Sequence, residues 1–290
     1  MNIIGTGLSG LVGSRVVDLL SPEYIFDNLS LETGFDIINR EAVETYITKS
    51  NAPWVFHFAA ITDVDGCEKE KSLGVKSIAW AVNVLATEHI ARVCKHTGKR
   101  LLYISTDFVF DGTKDLYVES DTPNPLSFYG QTKYEGEKGV LDIGDLGLVV
   151  RLSFPYRQDA WKKADFVHRI IEKFKSPEHI TVPSDQRIVP TYIDDIAKGL
   201  SRLVKSNASG VYHLVGSQSL TNKEIAVKIA TRFSFDAEKI REVPFEAFYK
   251  NRAPRPFHAV LSHDKITKLG IRMSSFDEGL EKVHSIQSKV

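Results

Sequence analysis

The sequence predicts an α/β fold, a doubly wound parallel sheet carrying a smaller C-terminal lobe. Three observations carry that expectation. Short apolar runs alternate with amphipathic stretches through the first half of the chain. A glycine-rich turn joins the first apolar run to the first amphipathic one. After Arg151 the alternation loosens, as it does where a second, smaller unit is threaded through the first. With 290 residues, 42% hydrophobic and 26% charged, the chain can bury one large core or two unequal ones.

Strands are expected at Asn2–Gly5, Tyr24–Asp27, Trp54–Phe58, Arg100–Ser105 and Gly147–Arg151. Helices are expected at 10–20, 40–49, 77–97, 127–141 and 161–175, the third closed by Gly98 as a stop signal. Beyond Arg151, Ile180–Pro183 and Gly210–Val215 read as strands and Asp194–Lys205 as a helix. Thr221 stands three residues before Glu224, a capping box that opens a further helix over Thr221–Phe233. Asn251–Phe257 reads as a functional or connecting loop. The division expected is 1–157 plus 181–216 for the sheet domain and 158–180 plus 217–290 for the lobe.

Charge and composition exclude several classes of function. The 37 basic and 37 acidic side chains cancel, so no basic surface for nucleic acid or membrane is expected. No run of about twenty apolar residues occurs. The N-terminus enters a strand-like Asn2-Ile3-Ile4 directly, without the features of a secretory leader. Cys67 and Cys94 make neither a disulfide framework nor a zinc site, so no metal is expected. A cytoplasmic protein follows as the expectation. Trp54, Trp80 and Trp161 read as packing residues.

Gly5-Thr6-Gly7-Leu8-Ser9-Gly10-Leu11-Val12-Gly13 follows the first strand and opens the first helix. In a Rossmann-type turn, missing side chains let backbone N–H groups approach a pyrophosphate. The helix N-terminus adds partial positive charge. Gly7, Gly10, Leu11, Val12 and Gly13 are therefore candidate contacts to a dinucleotide. A purely structural strand–helix turn is the bland alternative, and the strand-first placement favours the ligand. Asp27, expected at the end of the second strand, suits the adenosine ribose hydroxyls and would repel a 2′-phosphate, which favours NAD(H) over NADP(H). A surface turn aspartate is the competing reading. Asp36 and Ile37 are candidates to cover the adenine edge.

Tyr129 and Lys133 stand at i and i+4 on one helix face. Hydride delivery to a ketone leaves an alkoxide that needs a proton, and a phenol with a pKa of about 10 holds its proton firmly at neutral pH. A neighbouring ammonium would lower that pKa and could hold the nicotinamide ribose. Leu101–Ser105 leads to Thr106 at the carboxyl edge of the sheet, where open sheets bind ligands. There Thr106 can polarise a substrate carbonyl, or alternatively cap the next turn. Glycine turn, strand-end hydroxyl and Tyr–Lys helix in this order mark Thr106, Tyr129 and Lys133 as the catalytic set.

On these residues the chain resembles the extended short-chain dehydrogenase/reductase family, and within it the dTDP-4-dehydrorhamnose reductases. Thr6–Gly13 fits the TGxxGxxG pattern, and the resemblance continues through 57–65, Ser105–Gly112 and Pro125–Lys133. Asp185-Gln186, Pro190-Thr191 and Arg255-Pro256 resemble the motifs of the substrate-side lobe. The resemblance implies a nicotinamide-dependent reductase acting on the keto group of a nucleotide-linked deoxysugar. It adds Phe58, Ala59, Ala60, Asn83 and Ser105 to the cofactor side. It places Val64, Asp107, Phe154, Gln186 and Arg255 on the substrate side, the arginine as a planar fork for phosphate oxygens. A homodimer is compatible with it.

The chain departs from the pattern at four places. Phe108 stands where Tyr is usual, Phe154 where Trp is usual, and Phe257-His258-Ala259 where an Asn-Ser pair follows Arg-Pro. Leu8 replaces a basic residue that some members place near a 2′-phosphate. Two alternatives stay open here: a nucleotide-sugar epimerase that retains NAD, and a non-catalytic, cofactor-binding subunit resembling the regulatory subunit of methionine adenosyltransferase. Dehydration is disfavoured because Phe108 occupies the place of the required glutamate.

Overall fold

The structure, a computed structural model, describes residues 1–287. The chain opens with β1 (Asn2–Thr6), α1 (Leu11–Leu20), β2 (Ile25–Leu29), α2 (Arg40–Lys49) and β3 (Trp54–His57). A short helix α3 (Val64–Lys69) precedes the long helix α4 (78–97). Then come β4 (Arg100–Thr106), α5 (Phe128–Leu141) and β5 (Gly147–Leu152). The remainder supplies α6 (Phe166–Lys175), β6 (Ile180–Pro183), α7 (Ile193–Lys205) and β7 (Gly210–His213). It closes with α8 (Asn222–Phe233), β8 (Ile240–Val243) and α9 (Phe276–Gln287).

Six strands form one parallel sheet in the order β7-β5-β4-β3-β1-β2. After β2 the chain crosses back over β1 to lay down β3 on the other side. That reversal opens a crevice at the carboxyl ends of β1 and β3, the place where doubly wound sheets bind ligands. Both faces of the sheet are covered, which is why its strands read as continuous apolar runs. Ile3, Phe56, Leu102 and Val150 point to one face, against α1 and α7. Ile4, Val55, Leu101 and Val149 point to the other, against α2 and α4.

A separate apolar core lies between α6, α8, α9 and the short parallel pair β6–β8. Its members include Phe166, Ile171, Ile180, Ile225, Ile229, Phe276 and Leu280. The capping box at Thr221 and Glu224 is formed as read from the sequence. The segment 264–273 returns to the first core through Ile266, Ile271 and Met273. Helix α4 is interrupted by a π-helical turn at Ala81–Ala86, a device that recurs at functional sites. Among the described residues no helix is long and apolar enough to cross a membrane.

Candidate active site

The glycine turn leaves β1 at the crevice. Gly7 has φ +68°, and a Cβ there would lie 2.4 Å from the backbone N of Ala59, so the two exits from β1 and β3 are pressed together. Only glycine fits this approach without moving one strand. Asn39, Ser127, Asp165 and Thr221 each cap a helix with a side chain, whereas Gly10, at the N-cap of α1, offers none. The first N–H groups of α1 are thus left for an anion. A bare backbone cradle at a helix N-terminus, walled by Phe58-Ala59-Ala60, fits a dinucleotide pyrophosphate.

The ribose side differs from the sequence reading in one geometric respect. Strand β2 continues two residues beyond Asp27, which pairs with Ile4 and interacts with the phenol of Tyr46 on α2. Asn28, of opposite pleat parity, turns toward the glycine turn and donates to the Ser9 hydroxyl at 3.0 Å. Ser9 is also hydrogen-bonded to Ser30 at 3.0 Å. Ser9, Asn28 and Ser30 therefore join the groove, and sequence reasoning missed them. Counting strand parity forward from Ile3 could have found Asn28. The Asp36 carboxylate accepts from the Ile38 N–H at 3.0 Å, and Ile37 is buried under the α2 face.

Behind the cradle, His57 is wholly buried between the Thr6 hydroxyl at 2.6 Å and the Thr87 hydroxyl at 2.9 Å. Burial, and then the charge of Lys133, push it down to about 3, so it is a neutral tie between β1, β3 and α4. Asn83, on the π-helical turn, binds both the N–H and the C=O of Ile61 and donates to the Thr132 hydroxyl at 2.9 Å. Its amide thereby fixes the wall after Ala60 to α5.

The structure brings Thr106, Tyr129 and Lys133 together. Ser127 caps α5, and a Cβ on Gly130 would lie 2.2 Å from the carbonyl oxygen of Phe108. That close approach seats Tyr129 directly on the turn that follows Thr106. The phenol lies beside the Thr106 hydroxyl, and its ring meets Phe108 edge-on at 5.7 Å. Burial raises the phenol above its ordinary value, more than the Thr106 hydroxyl lowers it. The i+4 spacing predicts that Lys133 lowers it. Instead the Lys133 ammonium donates to the Ile104 carbonyl at 2.8 Å and lies 4.0 Å from the centre of the Tyr103 ring. Burial brings Lys133 down to about 7, opposed by the charge of Glu137.

Glu137 continues the same helix face at i+8 from Tyr129. Its carboxylate takes two bonds from Arg151 of β5, at 2.9 and 2.7 Å, and one from Ser105 at 2.5 Å. Arg151 in turn reaches His213 at 3.3 Å. Ser105, expected on the cofactor side, is thus tied to this buried pair. Neither Glu137 nor Arg151 was read from the sequence, although extending the four-residue step from Tyr129 and Lys133 points to Glu137.

Asp107 lies beneath the trio, 2% exposed. One carboxyl oxygen accepts from Thr106 at 3.0 Å and the other from Ser153 at 2.8 Å. Burial outweighs these bonds and lifts it to about 6. Thr106 also accepts the Phe108 N–H at 3.2 Å, so it caps the next turn as well as facing the site.

The other residues expected on the substrate side are held as follows. Val64 and Phe108 both pack against the buried cluster of Cys67, Ala79, Phe128 and Tyr129. Gln186 donates to the Pro256 carbonyl at 3.0 Å and accepts from Asn222 and Tyr249, holding the 249–257 loop. Arg255 is paired with Asp65 of α3 at 2.9 Å and lies over the Tyr249 ring. Phe154 has φ +40° and packs edge-on against Phe166, so its strained backbone turns the chain from β5 into the second core.

A dinucleotide cradle facing a buried hydroxyl–phenol–ammonium trio defines an extended short-chain dehydrogenase/reductase site. The chain belongs to the family described as RmlD substrate binding domain, whose model matches residues 1–288. It is 29% identical over 298 residues to the dTDP-4-dehydrorhamnose reductase of Aggregatibacter actinomycetemcomitans, with 97% of each chain covered. It is also 29% identical over 242 residues to methionine adenosyltransferase 2 subunit beta of Xenopus laevis, covering 81% of this chain and 70% of that one. The crystal structure of dTDP-4-dehydrorhamnose reductase from Bacillus anthracis in complex with NADP is similar at TM-score 0.89 and 30% identity. That match covers 98% of this chain and 99% of the other. The family expectation drawn from the motifs is met.

Proposed function

We propose that this chain reduces the keto group of a nucleotide-linked deoxysugar, in the manner of a dTDP-4-dehydrorhamnose reductase. The observation that carries the reading is the buried meeting of Thr106 with Tyr129 beside the uncapped glycine turn. The bound nicotinamide would supply the hydride. Gly7, Gly10, Leu11, Val12 and Gly13 would hold its pyrophosphate, and Lys133 its ribose. Thr106 would polarise the keto oxygen, and Tyr129 would deliver the proton that the nascent alkoxide takes up. Val64, Asp107, Phe154, Gln186 and Arg255 would form the sugar and diphosphate side, with the lobe 158–180 plus 217–290 closing over it.

NAD(H) is favoured over NADP(H). A cavity of about 270 Å³ beside Ser9 and Asn28 carries one cation, Lys162, together with Asp18 and Glu32. Glu32 already holds Lys162 at 3.3 Å. A 2′-phosphate would meet two carboxylates against a single exposed lysine there. The test is a screen of NADH and NADPH oxidation against nucleotide-4-keto-sugars, run with wild type and Tyr129→Phe. The expected result is stoichiometric NADH oxidation by wild type and a loss of 10²–10⁴ in kcat for the variant. Cofactor that co-purifies and is not consumed would favour the epimerase. Absence of turnover combined with tight binding to another enzyme would favour a regulatory subunit.

A further inference from the structure

The hydroxyl of Thr106 has one proton and two lone pairs. Bonded to it are the Asp107 carboxyl at 3.0 Å and the Phe108 N–H at 3.2 Å, and the Tyr129 phenol lies beside them. When Asp107 is ionised it can only accept, so it takes the Thr106 proton. Phe108 then fills one lone pair of Thr106, and the phenol can donate into the other. The O–H that would polarise the keto oxygen and the one that would supply its proton are in that state both spent within the protein. When Asp107 is protonated the chain of bonds reverses. Its O–H donates to Thr106, Phe108 fills the second lone pair, and the protons of Thr106 and Tyr129 are both free to point at a keto oxygen.

Building on the reductase reading, we infer that Asp107 is a positioning residue whose own proton sets the donor direction of Thr106 and Tyr129. Its surroundings suit the task. Ser153, at the exit of β5, anchors the second carboxyl oxygen at 2.8 Å, so the carboxyl is held in place while the bond to Thr106 changes direction. From α5 the titratable groups are Tyr129 and, one turn on, Lys133; from α3, Cys67 acts on the phenol. Burial lifts the carboxyl to about 6, which brings the protonated form within physiological reach.

The experiment is the pH profile of kcat for keto-sugar reduction at saturating NADH, each variant normalised to its own acid plateau. Wild type is expected to lose up to tenfold per pH unit above the Asp107 midpoint, with Lys133 adding a second break. Asp107→Asn places a permanent N–H donor beside Thr106 and is expected to lack the lower break. Thr106→Val removes the hydroxyl that Asp107 would steer, and its residual activity is expected to lack the same break. A profile with both breaks intact in either variant overturns the proposal. Should wild type reduce none of the sugars, the reductase reading fails on its own. The coupling is then read from a ¹³C NMR titration of the Asp107 carboxyl, assigned with Asp107→Asn. Losing the Thr106 donor in Thr106→Val is expected to raise its midpoint, and an unchanged midpoint overturns the proposal.

Discussion

Arg151→Met isolates the energetic role of the buried pair behind the catalytic helix. The side chains of Arg151 and Glu137 are 3% and 0% exposed, and two of the carboxylate's three bonds come from the guanidinium. With Arg151 gone, Glu137 keeps only the Ser105 hydroxyl and the charge of Lys133 one helical turn away. A buried charge that loses its partner in this way costs about 3–5 kcal/mol. Net stabilities run to about 5–15 kcal/mol, so the loss is a large share of the whole. Replacing both residues, as Glu137→Gln with Arg151→Met, removes the orphaned charge and should recover most of it. Urea unfolding followed by far-UV circular dichroism reads both values, provided the slope of the transition is unchanged. A cost under about 1 kcal/mol for Arg151→Met, or a double variant no more stable than the single, would refute the reasoning.

Two further outcomes follow from the same geometry. Gly7→Ala forces a positive φ on alanine and drives a Cβ toward Ala59, which should weaken NADH binding at least tenfold and cost about 1–3 kcal/mol in stability; fluorescence titration showing unaltered affinity would count against the cradle. Lys133 titrates at about 7 in the folded protein, below its ordinary 10.5, so between those values the unfolded chain holds the extra proton and stability rises with pH. Its burial cost is therefore complete below pH 7, and Lys133→Met should raise the urea midpoint more at pH 6 than at pH 10. Equal gains at both would contradict the burial of the charge.

Much of this was legible in the residues alone. The apolar runs of β1, β3, β4 and β5 announce a sheet buried on both faces, and the glycine turn names its ligand edge. Tyr129 and Lys133 are readable because helix periodicity is local and fixed. Asn28 and Ser9 escaped because the sequence reading ends β2 at Asp27, whereas it runs two residues further and Asn28 takes the opposite pleat parity to Asp27. The partners of Glu137 escaped for another reason: Ser105 and Arg151 lie on separate strands, and no sequence spacing encodes which strand is a neighbour. The direction of Lys133 was equally hidden. Its i+4 spacing permits contact with Tyr129, yet the carbonyl of Ile104 and the face of Tyr103 lie closer to hand.

The pairing of Arg255 with Asp65 ties residues 190 positions apart across the rim of the site. The guanidinium is already largely stripped of water, its side chain 12% exposed, and it also donates to the Ala253 carbonyl at 2.7 Å. An anion arriving at the rim thus faces a swap of partners, one carboxylate for another acid group, with little fresh dehydration of the cation to overcome. Asp65, 41% exposed and also accepting the Ala253 N–H at 2.9 Å, already faces water on its open side. On the proposed reading, such a mouth would discriminate by charge: a singly charged visitor merely matches the resident acid, whereas a diphosphate brings enough to evict it.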